Sequence, residues 1–464
     1  MENFWDYNVW GTLNVFAFLL LSLLAANSLK RIFPVLKASL IPTSVLGGAI
    51  LLILGGIYKL VTGDVMFDTQ FFGGHGMATL EVITYHTLAL GFIASALKSS
   101  ENAFTKKRTI EIFNSGVTTV STYLIQAIVG FTITLVAAKV MTDFFAAAGV
   151  LLPLGYGQGT GQAMNYGNIY ELEHGFVGGK SFGLTIAAMG FICAALGGVI
   201  HLNILKKRGK IDFANVNKTN EVVEEIEGKD EIPMQGSLDK VTFQISLIFV
   251  AYFLSYWAMV GLGALLPGMK SVIFGFNFLL GVIAAALVKL ILKGLRKSGL
   301  MSHQYTNNFL LTRVSNFFFD IMVVAGIAAI RLGILEKYWG ILLILGVVGA
   351  FITYGYNRFV AVKLFPEYPE EQFLAMYGML TGTASTGVVL LRELDGGFKT
   401  PAADNMVYQT IPAIVFGFPM MLLATLAPVK PALTWVVLVV FFLAMNVILF
   451  RSKIFRFGKK KATK

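Results

Sequence analysis

The sequence predicts an all-α polytopic membrane protein, on three observations. Hydrophobic residues make up 56% of the chain and charged residues 14%, too little polar surface to cover a soluble protein of 464 residues. Apolar runs of about 18 residues or more recur along it, each long enough to cross roughly 30 Å of hydrocarbon. Basic residues cluster between those runs, so the net charge of +11 reads as membrane topology and argues against a nucleic-acid partner.

The opening MENFWDYNVW carries Glu2 and Asp6 and no base, unlike a cleaved signal peptide, and is expected to be mature sequence. The first span, Trp10 to Leu29, is followed by Lys30, Arg31 and Lys37, which puts the amino terminus outside and the first loop in the cytoplasm. Ten further spans follow: Ile41 to Tyr58, Leu80 to Leu97, Phe113 to Ala138, Ser181 to Leu205, Val241 to Leu266, Val272 to Leu292, Val314 to Ile330, Trp339 to Tyr356, Met406 to Leu426 and Leu433 to Phe450.

Two stretches are broken by glycines and small hydroxyl residues: Leu151 to Gly167 and Ala375 to Leu391. Every backbone amide and carbonyl must be satisfied in a bilayer, so unwound backbone survives only where protein or a watery cavity surrounds it. Broken segments in matching positions of two halves are the signature of a transporter substrate site. If each dips in and returns, inside loops hold 28 Lys and Arg against seven outside. Were the first to cross fully, Lys206, Lys207, Arg208 and Lys210 would land outside, so hairpins are the better reading.

The two hairpins then enter from opposite faces. The expected organisation is a first inverted repeat over 1–205 with a re-entrant hairpin at about 145–173, a cytoplasmic linker over 206–240, and a second repeat over 241–428 with its hairpin at about 370–395. Each repeat has five transmembrane helices. An extra helix and a basic cytoplasmic tail fill 429–464, and such a tail attracts anionic headgroups. Gly91 to Lys98, GFIASALK, is weakly similar to Ala325 to Leu332, AGIAAIRL, in line with a repeat. Cys193 is the only cysteine, so no intrachain disulfide is possible.

Glycine permits the positive φ of an unwound tip. Neutral Thr, Ser, Gln and Asn oxygens suit a weakly held cation, and half-helix amino ends suit an anion. The substrate-site candidates are Gly157, Gln158, Gly159, Thr160, Gly161, Gln162 and Asn165 on the first hairpin. On the second they are Gly382, Thr383, Ser385, Thr386 and Gly387. Sodium candidates are Thr160, Thr381, Thr383 and Asp320; the bland alternative for each small residue is helix packing. Asp320 and His86, ionisable groups inside the third span of each half, are coupling candidates, with interface hydrogen bonding as the alternative. Lys289 is expected to snorkel. Arg392 pairs more readily with Glu393 or Asp395 than with substrate, and Glu171 and Glu173 read as solvated flanks.

The chain resembles the bacterial sodium/glutamate symporters. The resemblance rests on IPTSVLGG from Ile41 to Gly48, Gly-Gln-Gly-Thr-Gly at 157 to 161, the Gly-Thr step at 382 and 383, and the order of segments. It implies two inverted five-helix repeats with re-entrant loops, a homodimer in the inner membrane, a mobile transport domain, and sodium-driven uptake of L-glutamate. The first loop departs from the family pattern at Tyr156 and Gln158, and the literal GGHG at Gly73 to Gly76 falls in a predicted outside loop. A dicarboxylate or hydroxycarboxylate substrate with sodium or proton coupling remains open, as do a channel or a membrane enzyme. No nucleophile, metal or carboxylate constellation recommends an enzyme, and no organic cofactor is expected.

Overall fold

The computed structural model describes residues 3–98, 105–209, 238–395 and 399–454. Most of the linker over 206–240 and the distal basic tail lie outside the described residues. The main helices are α1 (Tyr7–Ile32), α2 (Thr43–Thr62), α3 (Gly76–Leu97), α4 (Lys106–Val140), α5 (Leu151–His174), α6 (Gly179–Lys207), α7 (Lys240–Leu265) and α8 (Asn277–Lys297). After them come α9 (Asn308–Ala328), α10 (Trp339–Leu364), α11 (Pro369–Thr381), α12 (Ala384–Arg392), α13 (Ala402–Tyr408), α14 (Thr410–Leu426) and α15 (Pro431–Leu449). Among the described residues ten helices are long and apolar enough to cross a membrane, and α13 with α14, bent by 53°, raises the number to as many as eleven. The chain is a multi-pass, all-α membrane protein.

Local chemistry sets the helix ends. Asp239 accepts hydrogen bonds from the Val241 and Thr242 amides at 2.9 and 3.1 Å and so starts α7. Asn307 does the same for α9 through the Leu310 amide at 2.7 Å. Gly175, at φ 69°, closes α5 in the left-handed region. The GGHG run is a turn of the same kind: Gly73 and Gly74 sit at φ 79° and 78°, and Gly76 opens α3. Its role is to redirect the chain.

The helices form two compact units. The first holds Met1–Ala26, Leu46–Ala103 and Glu221–Ala329; the second holds Asn27–Val45, Phe104–Asn220 and Ile330–Lys464. Each unit draws on both sequence halves, so the compact units do not coincide with the two halves expected to be repeats.

In the first unit, Leu90, Ile93 and Ala94 of α3 pack with Ile248 and Ala251 of α7, Ala284 and Ala285 of α8, and Leu311 of α9. The third spans of the two halves, α3 and α9, touch closely at Gly91. A Cβ there would stand 2.7 Å from the Phe319 ring, and the Ser315 hydroxyl donates to Gly91 O at 2.9 Å. Lys289 does more than snorkel: its ammonium donates to Ala96 O and Lys98 O at 3.1 and 2.6 Å, capping the carboxyl end of α3. Phe249, Phe253 and Trp257 of α7 are exposed, an apolar surface suited to lipid.

Candidate functional site

The second unit contains both broken segments. Helix α5 has one non-helical residue, Gly159, at φ 78° and ψ −168°, a region that glycine alone enters readily. The chain reverses there. Phe145, just before the segment, lies 5.1 Å from the Tyr170 ring and stacks on Phe176 at 4.7 Å. An unbroken helix would separate residues 145 and 170 by roughly 35 Å. The second break follows Thr381: α11 ends, Gly382 and Thr383 are non-helical, and α12 returns so closely that a Cβ on Gly378 would stand 2.7 Å from Gly387 Cα.

Helix α4 brings the two breaks to one level. Tyr123 OH donates to Gly157 O at 3.0 Å, and one turn later Gln126 Nε2 donates to Leu380 O at 2.9 Å. Across the site, Gly190 of α6 lets the backbone approach, because a Cβ there would collide with Thr381 O. Tyr156 reaches from the first hairpin to Gly346 O at 2.5 Å, and Tyr377 from the second to Cys193 O at 2.9 Å. Both tyrosines are buried. Each break is therefore clamped by hydrogen bonds from rigid helices, which is how unwound backbone is satisfied in an apolar setting.

The candidate residues sort by where their side chains point. Thr160, Gln162 and Asn165 are buried, while Gly157 and Gln158 are half-buried. Gln162 is 1% exposed; its Oε1 accepts a 3.4 Å contact from Asn165 Nδ2, and its Nε2 donor meets no acceptor among the described residues. A buried donor beside a helix break is chemistry for an anion. The second hairpin differs. Thr381 turns its hydroxyl onto Tyr377 O at 2.5 Å, and Thr383 and Thr386 form a capping box that starts α12. Gly382, Ser385 and Gly387 lie on that same turn.

Asp320 and His86 belong to the first unit, apart from the hairpin residues, which all belong to the second. His86 Nδ1 shares a 2.6 Å hydrogen bond with Tyr252 OH, and Asp320 is half-buried on α9. Glu171 is no simple solvated flank, since its carboxylate accepts the Gly178 amide at 2.9 Å and shapes the turn into α6.

Sequence reasoning missed the polar residues of α4 and α10. Gln126 Nε2 also donates to Thr353 Oγ1 at 2.7 Å, Thr119 donates to Gln409 Oε1 at 2.5 Å, and Asn357 Nδ2 donates to Thr353 O at 2.9 Å. At the amino end of α11, Glu370 accepts a hydrogen bond from Arg358 Nη2 at 2.8 Å, forms an ion pair with Arg358 Nη1 at 2.6 Å, and pairs with His201 at 3.1 Å. The visible signal was a row of neutral polar residues, Asn114 to Gln126, inside an otherwise apolar span. Among the described residues no group of three or more His, Cys, Asp or Glu is placed to hold a metal ion. No protein-family model matches the chain, and no curated protein matches it.

Proposed function

We propose that this protein is a secondary active transporter that takes up a small anionic amino acid, glutamate or a close analogue, with sodium as the coupling ion. The observation that carries the reading is the meeting of two broken helices at one buried level of α4, with an unpartnered amide donor, Gln162 Nε2, at the first break. Half-helix amino ends and a side-chain amide suit a carboxylate. The carboxyl end of α11, whose Leu380 O faces Gln126, suits a cation.

Alternating access is elevator-like in this reading, with the unit that holds both hairpins carrying the substrate. The two halves act as inverted repeats and the hairpins as re-entrant loops. The resemblance adds an inner-membrane homodimer, and the charge bias an outside amino terminus and a cytoplasmic carboxyl terminus. Asp320 and His86, in the other unit, act in coupling or as structural hydrogen-bonding groups. Asp320→Asn separates the two: a coupling role predicts lost or uncoupled transport in a normally inserted protein.

The deciding experiment is uptake of labelled L-glutamate into proteoliposomes with and without an inward sodium gradient, against potassium and proton gradients. Sodium-dependent accumulation is the expected result. Sodium-driven counterflow of a dicarboxylate without glutamate uptake would transfer the reading to that substrate class. Indifference to every gradient would remove it.

A further inference from the structure

Among the described residues three buried side-chain amide oxygens of the second unit face no donor, Gln126 Oε1, Asn357 Oδ1 and Asn405 Oδ1, and the first two belong to amides whose nitrogens are held at one residue, Thr353. Gln126 is 0% exposed and Asn357 is 2% exposed. Gln126 must turn its nitrogen to Leu380 O at 2.9 Å, because a carbonyl can only accept; Asn357 must likewise turn its nitrogen to Thr353 O at 2.9 Å. An amide flip would set oxygen against oxygen in both cases. What remains is Gln126 Oε1 and Asn357 Oδ1, neither with a donor among the described residues. Buried acceptors without donors are rare and call for a ligand or a function.

We propose that α4, α10 and the carboxyl end of α11 form a binding site for a dehydrated monovalent cation, with Gln126 Oε1 and Asn357 Oδ1 as ligands. The two side chains are tied to one residue: Gln126 donates to the Thr353 hydroxyl and Asn357 to the Thr353 carbonyl. Asn357 lines a narrow gap with Thr118, Gln372 and Met376, and α11 continues five residues past Met376 to end at Thr381, with its carbonyl dipoles summed toward the break. Hard cations take oxygen ligands, and divalent ions ordinarily require carboxylates among them. Both side-chain ligands here are neutral. The nearest full charge in sequence, Arg358, is held by Glu370 at 2.6 Å and so opposes a cation little. A neutral oxygen set therefore selects a monovalent ion that is held weakly enough to leave in each cycle.

This inference deepens the sodium-coupled reading and rests on it for the ion's role. It moves the cation away from the hydroxyls of Thr381 and Thr383, which already serve Tyr377 O and the α12 cap. The test is thermal unfolding of the full-length detergent-solubilised protein in sodium, potassium or choline chloride at equal ionic strength. Saturable stabilisation by sodium is expected in the wild type. Asn357→Leu and Gln126→Met should raise the half-saturating sodium concentration about tenfold or more, and Asn357→Asp, which keeps an oxygen, should retain the response. Identical melting of the wild type in sodium and choline, or one sodium response shared by all four proteins, would overturn the site. Parallel uptake keeps the two readings apart. Sodium stabilisation without glutamate uptake sinks the substrate assignment alone, whereas sodium-dependent uptake unaltered in Asn357→Leu and Gln126→Met sinks this site alone.

Discussion

Replacing Gly159 with alanine tests the first hairpin most directly. At φ 78° and ψ −168°, the residue occupies a region from which a Cβ is sterically excluded. Holding alanine there costs about 1–3 kcal/mol. The escape route is worse: a helical residue 159 would straighten α5 and pull Phe145 from its 5.1 Å contact with Tyr170 and its stack on Phe176. The matched control is Gly56→Ala, in the middle of α2, where an added Cβ meets nothing within 4 Å. That change relieves a glycine in a helix and should be neutral or stabilising by up to about 1 kcal/mol. The assay is equilibrium unfolding in mixed detergent by SDS titration, followed by far-ultraviolet circular dichroism, with uptake measured on the same preparations. Gly159→Ala should unfold at lower SDS and lose uptake, whereas Gly56→Ala should do neither. Equal midpoints for the two variants, with uptake kept, would refute the claim that a glycine-only break shapes this hairpin.

Four further outcomes are expected. Tyr156→Phe leaves the buried Gly346 carbonyl without its 2.5 Å donor and should destabilise by about 1–3 kcal/mol in the same titration; an unchanged midpoint would mean the clamp contributes nothing. Glu370→Gln should cost about 1–2 kcal/mol, discounted for the 26% exposure of Arg358, and a double-mutant cycle with Arg358→Gln should show coupling, absent only if the pair is idle. Thr383→Val removes the α12 cap at a cost of about 0.5–2 kcal/mol and Thr383→Ser restores it, so equal loss in both would point away from capping. Lys289→Met strips the carboxyl end of α3 of its cap and should cost about 0.3–1 kcal/mol; the sign of the change in midpoint decides it.

Much of the fold is legible in the sequence because the bilayer imposes it. A run such as Leu433 to Phe450 can do little but span, and GYGQGTG in such company can only be a break, so the spans and both hairpins follow from apolar length and from glycine. The burial of Thr160 and Gln162 follows from the same reasoning. The polar row of α4 does not. Thr118 and Thr122 spend their hydroxyls on carbonyls four residues back in their own helix, at 2.7 and 2.8 Å, while Gln126 reaches Leu380, far away in the sequence. In sequence these residues look alike, since a neutral side chain in a membrane helix can bond backward or across at similar cost.

The sequence by itself determined that this chain spans a membrane many times and is broken twice, because hydrophobic length and backbone satisfaction are local requirements. Only the tertiary structure decided that both breaks meet on one turn of α4, that Asp320 and His86 fall in the other compact unit, and that Gln126 and Asn357 are left with acceptors to fill. Those outcomes depend on which helices pack together, and helix packing is a property of pairs of surfaces that no single segment contains.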